Sequence, residues 1–185
     1  IIDQGVLGKI RYLYSRRSGP GPVRNDINVA WNLAPHDVSL ANYLLGRLPL
    51  SVSAQGGSFL LPKIEDVVDM ALDYGENKTF FHLSWIEPRK VREVTVVGEL
   101  GTAIFDDTVA EKLRIFTKEN PQGQAVFSGK VDALRDQCLH FSECMRERKQ
   151  PITDAKEGYE NVFILERTAE SLASGESVKL FGDRG

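Results

Sequence analysis

Cysteine is scarce in this sequence, which holds two cysteines and three histidines among 185 residues. Cys144 follows Cys138 by six residues, so on one helix the two thiols would point in different directions and could not easily form a disulfide. We interpret both as packing residues of a helix. His140 shares a helix face with Cys144, but two ligands are too few for zinc, and we predict no metal site. Two separate thiols are typical of the reducing cytoplasm, where we expect this protein.

Long apolar runs and an excess of one charge are also missing. No window approaches the roughly 18 consecutive apolar residues that a membrane-spanning helix needs, which predicts a protein without a membrane partner. The formal net charge of -3 comes from 23 basic and 26 acidic residues, which argues against nucleic-acid binding through phosphates. The local exception is a group of arginines near the N-terminus: Arg11, Arg16, Arg17 and Arg24.

A phosphate-binding loop is the third absence. The segment Gly19-Pro20-Gly21 lacks the third glycine of the dinucleotide fingerprint, contains a proline and opens no helix. From the residues alone, the chain therefore shows no complete active site. The length suits one domain, and the first residue, Ile1, is not an initiator methionine, which favours a cut inside a longer protein.

Apolar periodicity predicts an α+β fold, because many short strands follow one another with few helices between them. We predict strands over residues 9–15, 51–59, 66–74, 79–86, 91–97, 102–106, 112–117 and 177–181. We predict helices over residues 32–46, 131–148 and 154–175. Short linkers indicate one large, open-faced, mainly antiparallel sheet with helices packed on one face. The other face is half-apolar and uncovered, which predicts a homo-oligomer joined through it.

One segment, residues 28–37, concentrates side chains suited to chemistry. We predict that Asn32 caps a helix, so that His36, four residues on, lies on the same face near the helix N-terminus. Free N–H groups there attract anions and polar oxygens, and a histidine can relay a proton near neutral pH. The alternative is that His36 is only a helix-start residue bonded to a neighbouring turn. We interpret Trp31 and Trp85 as packing residues and His82 as an interface residue on the open face. We expect Lys90 and Arg92, at a strand start, to be solvated.

Five segments, in order along the chain, resemble motifs of the Gfo/Idh/MocA oxidoreductases. Residues 31–37, W-N-L-A-P-H-D, resemble the family's W-D-L-x-x-H-D. Residues 5–10 resemble its G-x-L-G-x-I entry, and residues 84–92 its S-W-x-x-P-x-K-x-R strand exit. Residues 97–102 with 105–107 resemble its G-x-x-G hairpin, and residues 151–154 its closing segment. The chain is thus identified as resembling the C-terminal domain of such an enzyme.

That resemblance implies that residues 1–185 form a substrate-binding and oligomerisation domain, with an N-terminal Rossmann domain missing from the chain. The missing domain would bind NAD or NADP and carry the family's catalytic lysine. His36 would be the catalytic acid/base or proton-relay histidine. Asn32 stands where many members have Asp; it can bind a sugar hydroxyl but cannot accept a proton, so the resemblance assigns it to substrate binding.

Within the family, the motifs look most like those of dehydrogenases that oxidise the 3-hydroxyl of a UDP-N-acetylhexosamine or its uronate. Arg16, Arg17 and Arg24 precede the predicted helix and could hold a diphosphate or carboxylate of such a substrate. The alternative for them is a solvated basic strand end. Two other interpretations stay open for the protein: a binding or assembly module that has lost its chemistry, and a biliverdin-reductase-like enzyme of the same architecture.

Overall fold

The computed structural model describes residues 1–129 and 132–181. Nine strands run through them: β1 (Ile10–Ser18), β2 (Ser51–Gly57), β3 (Val67–Asp73), β4 (Lys78–Ser84), β5 (Val91–Gly98), β6 (Gly101–Asp106), β7 (Leu113–Thr117), β8 (Gln124–Phe127) and β9 (Val178–Lys179). Three helices accompany them: α1 (Val29–Leu45), α2 (Ala133–Glu147) and α3 (Ala155–Ser174).

All nine strands form one sheet in the order β8-β7-β6-β5-β1-β4-β3-β2-β9. Every neighbouring pair is antiparallel except β1 and β4, which run parallel because α1 intervenes in the chain. The α+β class and the open, mainly antiparallel sheet are confirmed. The sequence did not predict that β1, the first strand, would lie at the centre of the sheet.

The central strand β1 sends alternate side chains to two different faces. Leu13 and Ser15 are buried on the face that the helices cover, whereas Tyr12 and Tyr14 are exposed on the open face. The same alternation divides β4, where Thr79, Phe81 and Leu83 are buried as the period-2 pattern predicts. The sheet therefore has one helix-covered face and one open face.

Helices α1 and α3 pack on each other and on the part of the sheet that runs from β1 to β9. Their core holds buried aliphatic side chains such as Val38, Val52, Val68, Leu83 and Ile164. The side-chain amide of Asn161 on α3 donates to the Pro35 carbonyl of α1 over 2.9 Å. A second apolar cluster lies on β5 to β7, where the N-terminal segment contributes Leu7 and the end of α1 packs against it through Leu44 and Leu45.

The start of α1 differs from the prediction. Asn28, not Asn32, is the N-cap: its side-chain oxygen accepts the Trp31 backbone N–H over 3.1 Å. Gly46 closes the helix in the left-handed conformation, as predicted. The prediction was wrong by one helical turn because both asparagines are good caps, and Pro35, which favours a first turn, is tolerated further inside this helix.

The β5–β6 hairpin packs against the segment that precedes β1. A Cβ on Gly98 would lie 2.1 Å from the Leu7 carbonyl oxygen, so only glycine fits there. Leu100 in the turn donates its backbone N–H to that same carbonyl over 2.9 Å. The glycines of residues 5–8 and 97–102 thus belong to one structural unit.

The second helix, α2, does not close the domain as expected. Leu134, Phe141 and Met145 form an apolar stripe, but all three are strongly exposed, and α2 makes no extensive contact with the sheet. Cys144 is buried and Cys138 is exposed, so the packing role predicted for Cys138 was wrong. Val131, placed in the predicted helix, lies outside the described residues. Strand β8 was missed because it has only four residues and most of them are exposed, so it shows no clear alternation of apolar and polar side chains.

Candidate active site

Two polar side chains of α1, Asn32 and His36, lie one turn apart on the helix that packs over β1 and β4. Since α1 begins at Val29, His36 lies about two turns inside the helix, and the free N–H groups of the first turn are not beside it. The expectation that His36 sits at a helix N-terminus was therefore wrong. Asn32 accepts the indole N–H of the buried Trp85 over 3.0 Å. Trp85 is a packing residue, as predicted, and it fixes the orientation of the Asn32 amide.

Arg17 and Asp37 form an ion pair next to His36. The guanidinium of Arg17 donates twice to the Asp37 carboxylate, with Nε–Oδ2 at 2.9 Å and Nη2–Oδ1 at 3.0 Å. The Asp37 side chain is 1% exposed and that of Arg17 is 19% exposed. A bidentate pair in so little solvent has a fixed geometry, so it locks β1 to α1 at the residue that follows His36.

A second arginine, Arg92, lies directly opposite Arg17 on the adjacent strand β5. Its Nη1 donates to the backbone carbonyls of Ser18 and Val91, each over 2.8 Å. The side chain is half-buried, so the expectation that Arg92 is solvated was wrong, whereas Lys90 is exposed as expected. Burial, together with the nearby charge of Arg17, lowers the pKa of Arg92.

These surroundings hold His36 in its neutral form. Desolvation by the surrounding protein lowers the pKa of His36 most, the Arg17 and Arg92 guanidiniums lower it further, and Asp37 partly opposes them. The residue is nevertheless exposed and lines an open cavity. A neutral, accessible imidazole is the form that can accept a proton from a hydroxyl group at neutral pH.

The structure does not bring the three predicted substrate-binding arginines together. Arg16 points to the opposite face of the sheet from Arg17, because consecutive residues of a strand alternate, and it pairs with Glu87 at 2.5 Å. Arg24 lies in the loop before α1 and pairs with Asp26 at 2.7 Å. Of the three, only Arg17 is near His36.

His82 organises a polar cluster on the open face. Its Nδ1 lies 2.7 Å from the Asp69 carboxylate and its Nε2 lies 2.6 Å from that of Glu87. Glu87 also accepts from the Ser18 hydroxyl over 2.7 Å. Burial would lower the pKa of His82, but the two carboxylates outweigh it and raise that pKa. Hydrogen bonds from Ser18, His82 and Arg16 outweigh the effect of burial on Glu87 and lower its pKa to about 2.

An open cavity of about 560 Å³ lies beside His36. Ser39 and Tyr43 of α1 line one side, and Thr153 and Lys156 near the start of α3 line the other. Across residues 1–129 and 132–181, no group of three or more histidine, cysteine or acidic side chains could hold a metal ion. Within the same residues, none of the helices has the length and apolar character to cross a bilayer.

The family model of the GFO/IDH/MocA C-terminal domain matches residues 1–104. The chain belongs to this family. The match covers β1, α1 and the strands through most of β6, and so includes Asn32, His36 and both arginines beside them. No curated protein sequence matches the chain significantly.

Oxidoreductases are among the solved structures with the same fold. The UDP-N-acetylglucosamine 3-dehydrogenase GnnA from Acidithiobacillus ferrooxidans superposes with a TM-score of 0.81 at 21% identity, covering 92% of this chain and 56% of that one. The WlbA dehydrogenase from Bordetella pertussis, in complex with NADH and UDP-GlcNAcA, superposes with a TM-score of 0.76 at 19% identity, covering 98% of this chain and 59% of that one. Aldose-aldose oxidoreductase from Caulobacter crescentus, complexed with glycerol, superposes with a TM-score of 0.81 at 16% identity, covering 97% of this chain and 58% of that one. The chain thus spans less than two thirds of each of these proteins.

Proposed function

We propose that this chain is the substrate-binding half of an NAD(P)-dependent dehydrogenase that oxidises a hydroxyl group of a sugar or nucleotide sugar. The observation that carries the proposal is His36, an exposed imidazole held neutral by desolvation and two guanidiniums. Such a group is suited to receive the proton that leaves a hydroxyl as it is oxidised. Asn32, one turn earlier, has its side-chain oxygen occupied by Trp85, which leaves its amide N–H groups to donate to a sugar hydroxyl.

The nicotinamide cofactor would be held mainly by a domain outside this chain. The described loop after β1 contains Gly19-Pro20-Gly21-Pro22, whose prolines have no N–H to offer a diphosphate, and α1 begins only at Val29. NAD or NADP supplies a ring that accepts the hydride. The residues of this chain bind and orient the substrate and move the proton at the His36 imidazole.

A nucleotide sugar is the substrate class that we favour. GnnA is named for its action on UDP-N-acetylglucosamine, and WlbA was solved with NADH and UDP-GlcNAcA. Both share this fold over more than nine tenths of the chain. The motif of residues 31–37 supports the same class.

The test uses the full-length protein loaded with NAD or NADP and supplied with UDP-GlcNAc, UDP-GlcNAcA or a free sugar, with reduced cofactor followed by absorbance. We expect oxidation of a UDP-sugar, and we expect His36→Ala to lower kcat by about 10²- to 10⁴-fold with little change in affinity. His140→Ala on α2 is the matched histidine control and should keep its activity. Oxidation of a free sugar alone would refute the nucleotide-sugar class. Intact assembly without any oxidation would favour the binding-module alternative, which Asn32 in the usual Asp position leaves open.

We also propose that the open face joins copies of this chain into a homo-oligomer. Tyr12 and Tyr14 stack at 6.3 Å between ring centroids, Phe80 packs edge-on against Tyr12 at 6.4 Å, and all three are exposed. Aromatic side chains at the centre of an uncovered sheet are typical of an interface. Light scattering should show that Tyr14→Glu yields a monomer, whereas Tyr159→Glu, on exposed α3 surface, does not change the mass. An unchanged mass for Tyr14→Glu would refute this interface.

A further inference from the structure

We propose that Arg92 binds an anionic group of the substrate, a carboxylate or a phosphate, beside His36. The inference rests on the proposed function of this site and names both a binding residue and a chemical requirement on the substrate. It is carried by the arrangement of charges where β1, β5 and α1 meet.

Three cations and two carboxylates make up this charge cluster, which consists of Arg17, Arg92, Lys112, Asp37 and Asp107. Asp37 is engaged by Arg17 at 2.9 Å, and Asp107 is engaged by Lys112 at 2.8 Å. Within the part of the chain that the structure describes, no carboxylate oxygen lies within 4.0 Å of the Arg92 guanidinium. The cluster therefore carries one net positive charge, and Arg92 is its one cation without a carboxylate in direct contact, although Asp37 and Asp107 act on it from farther away.

The environment makes that charge costly in the absence of an anion. Arg92 is half-buried and stands directly across the strand pair from Arg17, and like charges in such positions destabilise a sheet. Its two hydrogen bonds go to neutral carbonyls and use only Nη1. Nε and Nη2 remain as donors in the fork geometry that matches a carboxylate or phosphate.

The position of Arg92 relates the anion to the reacting hydroxyl. Arg92 lies opposite Arg17, and Arg17 binds Asp37, the residue that follows His36, so an anion on Arg92 would lie near the imidazole. Both guanidiniums also lower the pKa of His36. A UDP-hexosaminuronate carries two candidate groups, the sugar carboxylate and the diphosphate. A neutral free sugar carries none and would leave Arg92 unpaired.

The experiment measures equilibrium binding by calorimetry to the full-length protein loaded with reduced cofactor, which cannot accept a hydride, so that no turnover occurs. The probes are UDP-GlcNAcA, UDP-GlcNAc and glucuronate. We expect Arg92→Gln to weaken UDP-GlcNAcA binding about 10- to 100-fold, with Arg92→Lys intermediate. Arg146→Gln removes a charge from exposed α2 and is the matched control; it should bind as wild type does. Thermal melting shows that each variant is folded.

The probes separate the two anionic groups. If Arg92→Gln loses affinity for UDP-GlcNAcA and glucuronate, but not for UDP-GlcNAc, Arg92 binds the carboxylate. If it loses affinity equally for both UDP-sugars, Arg92 binds the diphosphate. Unchanged affinity of folded Arg92→Gln for all three probes overturns the inference, as does an equal loss in Arg146→Gln. Arg92-dependent binding without any oxidation would support the anion site while refuting the dehydrogenase. Oxidation of neutral sugars with no effect of Arg92→Gln would do the reverse.

Discussion

Replacing Arg17 by methionine tests whether the ion pair beside His36 is a structural element of the site. The substitution keeps the aliphatic stem but leaves the Asp37 carboxylate buried without its partner. Removing one member of a buried ion pair costs roughly 3–5 kcal/mol, because the remaining charge has neither water nor a counter-ion. Arg17 is 19% exposed and Arg92 lies nearby, so we expect the lower end, about 3 kcal/mol of unfolding free energy.

The assay is urea unfolding followed by tryptophan fluorescence, with the double variant Arg17→Met/Asp37→Leu alongside the single one. We expect the double variant to regain most of the lost stability, since removing both charges also removes the cost of burying one alone. Arg24→Met, which breaks an exposed pair with Asp26, should leave the unfolding midpoint unchanged. If Arg17→Met costs no more than Arg24→Met, water reaches Asp37 and the argument from burial fails.

Three other predictions concern titration and backbone space. The kcat/KM should fall as the pH drops through the pKa of His36, at a pH below the ordinary value of 6.5, because the neutral ring is the base; a fall centred above 6.5 would contradict this. The pKa of His82 is raised, so its ion pairs stabilise the fold fully below the unfolded pKa and this contribution disappears as the pH rises through the folded pKa. After solvent screening, denaturation should show His82→Gln less stable than wild type by about 1 kcal/mol at pH 5 and by almost nothing at pH 9; a gap that persists at pH 9 would rule out the ionic contribution. Gly98→Ala should lower the free energy of unfolding by about 1–3 kcal/mol or more, because the added Cβ clashes with the Leu7 carbonyl. Gly158→Ala, which has open space inside α3, should raise it by about 0.5–1 kcal/mol. Equal unfolding midpoints for the two variants would refute the packing argument.

Period-2 alternation predicted the strand faces well, because the side chains of a strand must alternate whatever its neighbours are. That is why the buried set on β4, from Thr79 to Leu83, was predicted correctly. The place of β1 between β5 and β4 was not predictable in this way. It depends on pairings between residues more than sixty positions apart, such as Arg17 with Leu83 and Arg92, and no local pattern encodes them.

In the candidate site, too, the sequence predicted what depends on a local motif and missed what depends on strand pairing. The motif of residues 31–37 pointed to His36, whose role as a proton relay stays a proposal; the structure adds that Arg17 and Arg92 lower its pKa. The local cap was misjudged because Asn28 and Asn32 offer the same chemistry, and only the backbone shows which one accepts the Trp31 N–H. Arg92 was missed because a basic residue at a strand start is usually solvated, and only the pairing of β5 with β1 brings it against Arg17.

The positions of Arg16 and Arg17 depend on the sheet and could not be judged from their closeness in sequence. Arg16 and Arg17 are neighbours in sequence, and as a basic pair they suggest one diphosphate site. In β1 they lie on opposite faces, where Arg16 joins the cluster around Glu87 and His82 and Arg17 joins Asp37 beside His36. A second cation on the face of His36 therefore has to come from another strand, and β5 supplies it in Arg92. Because the pairing register sets this partnership, a one-residue slip of β5 would turn Arg92 to the open face and separate the anion site from His36.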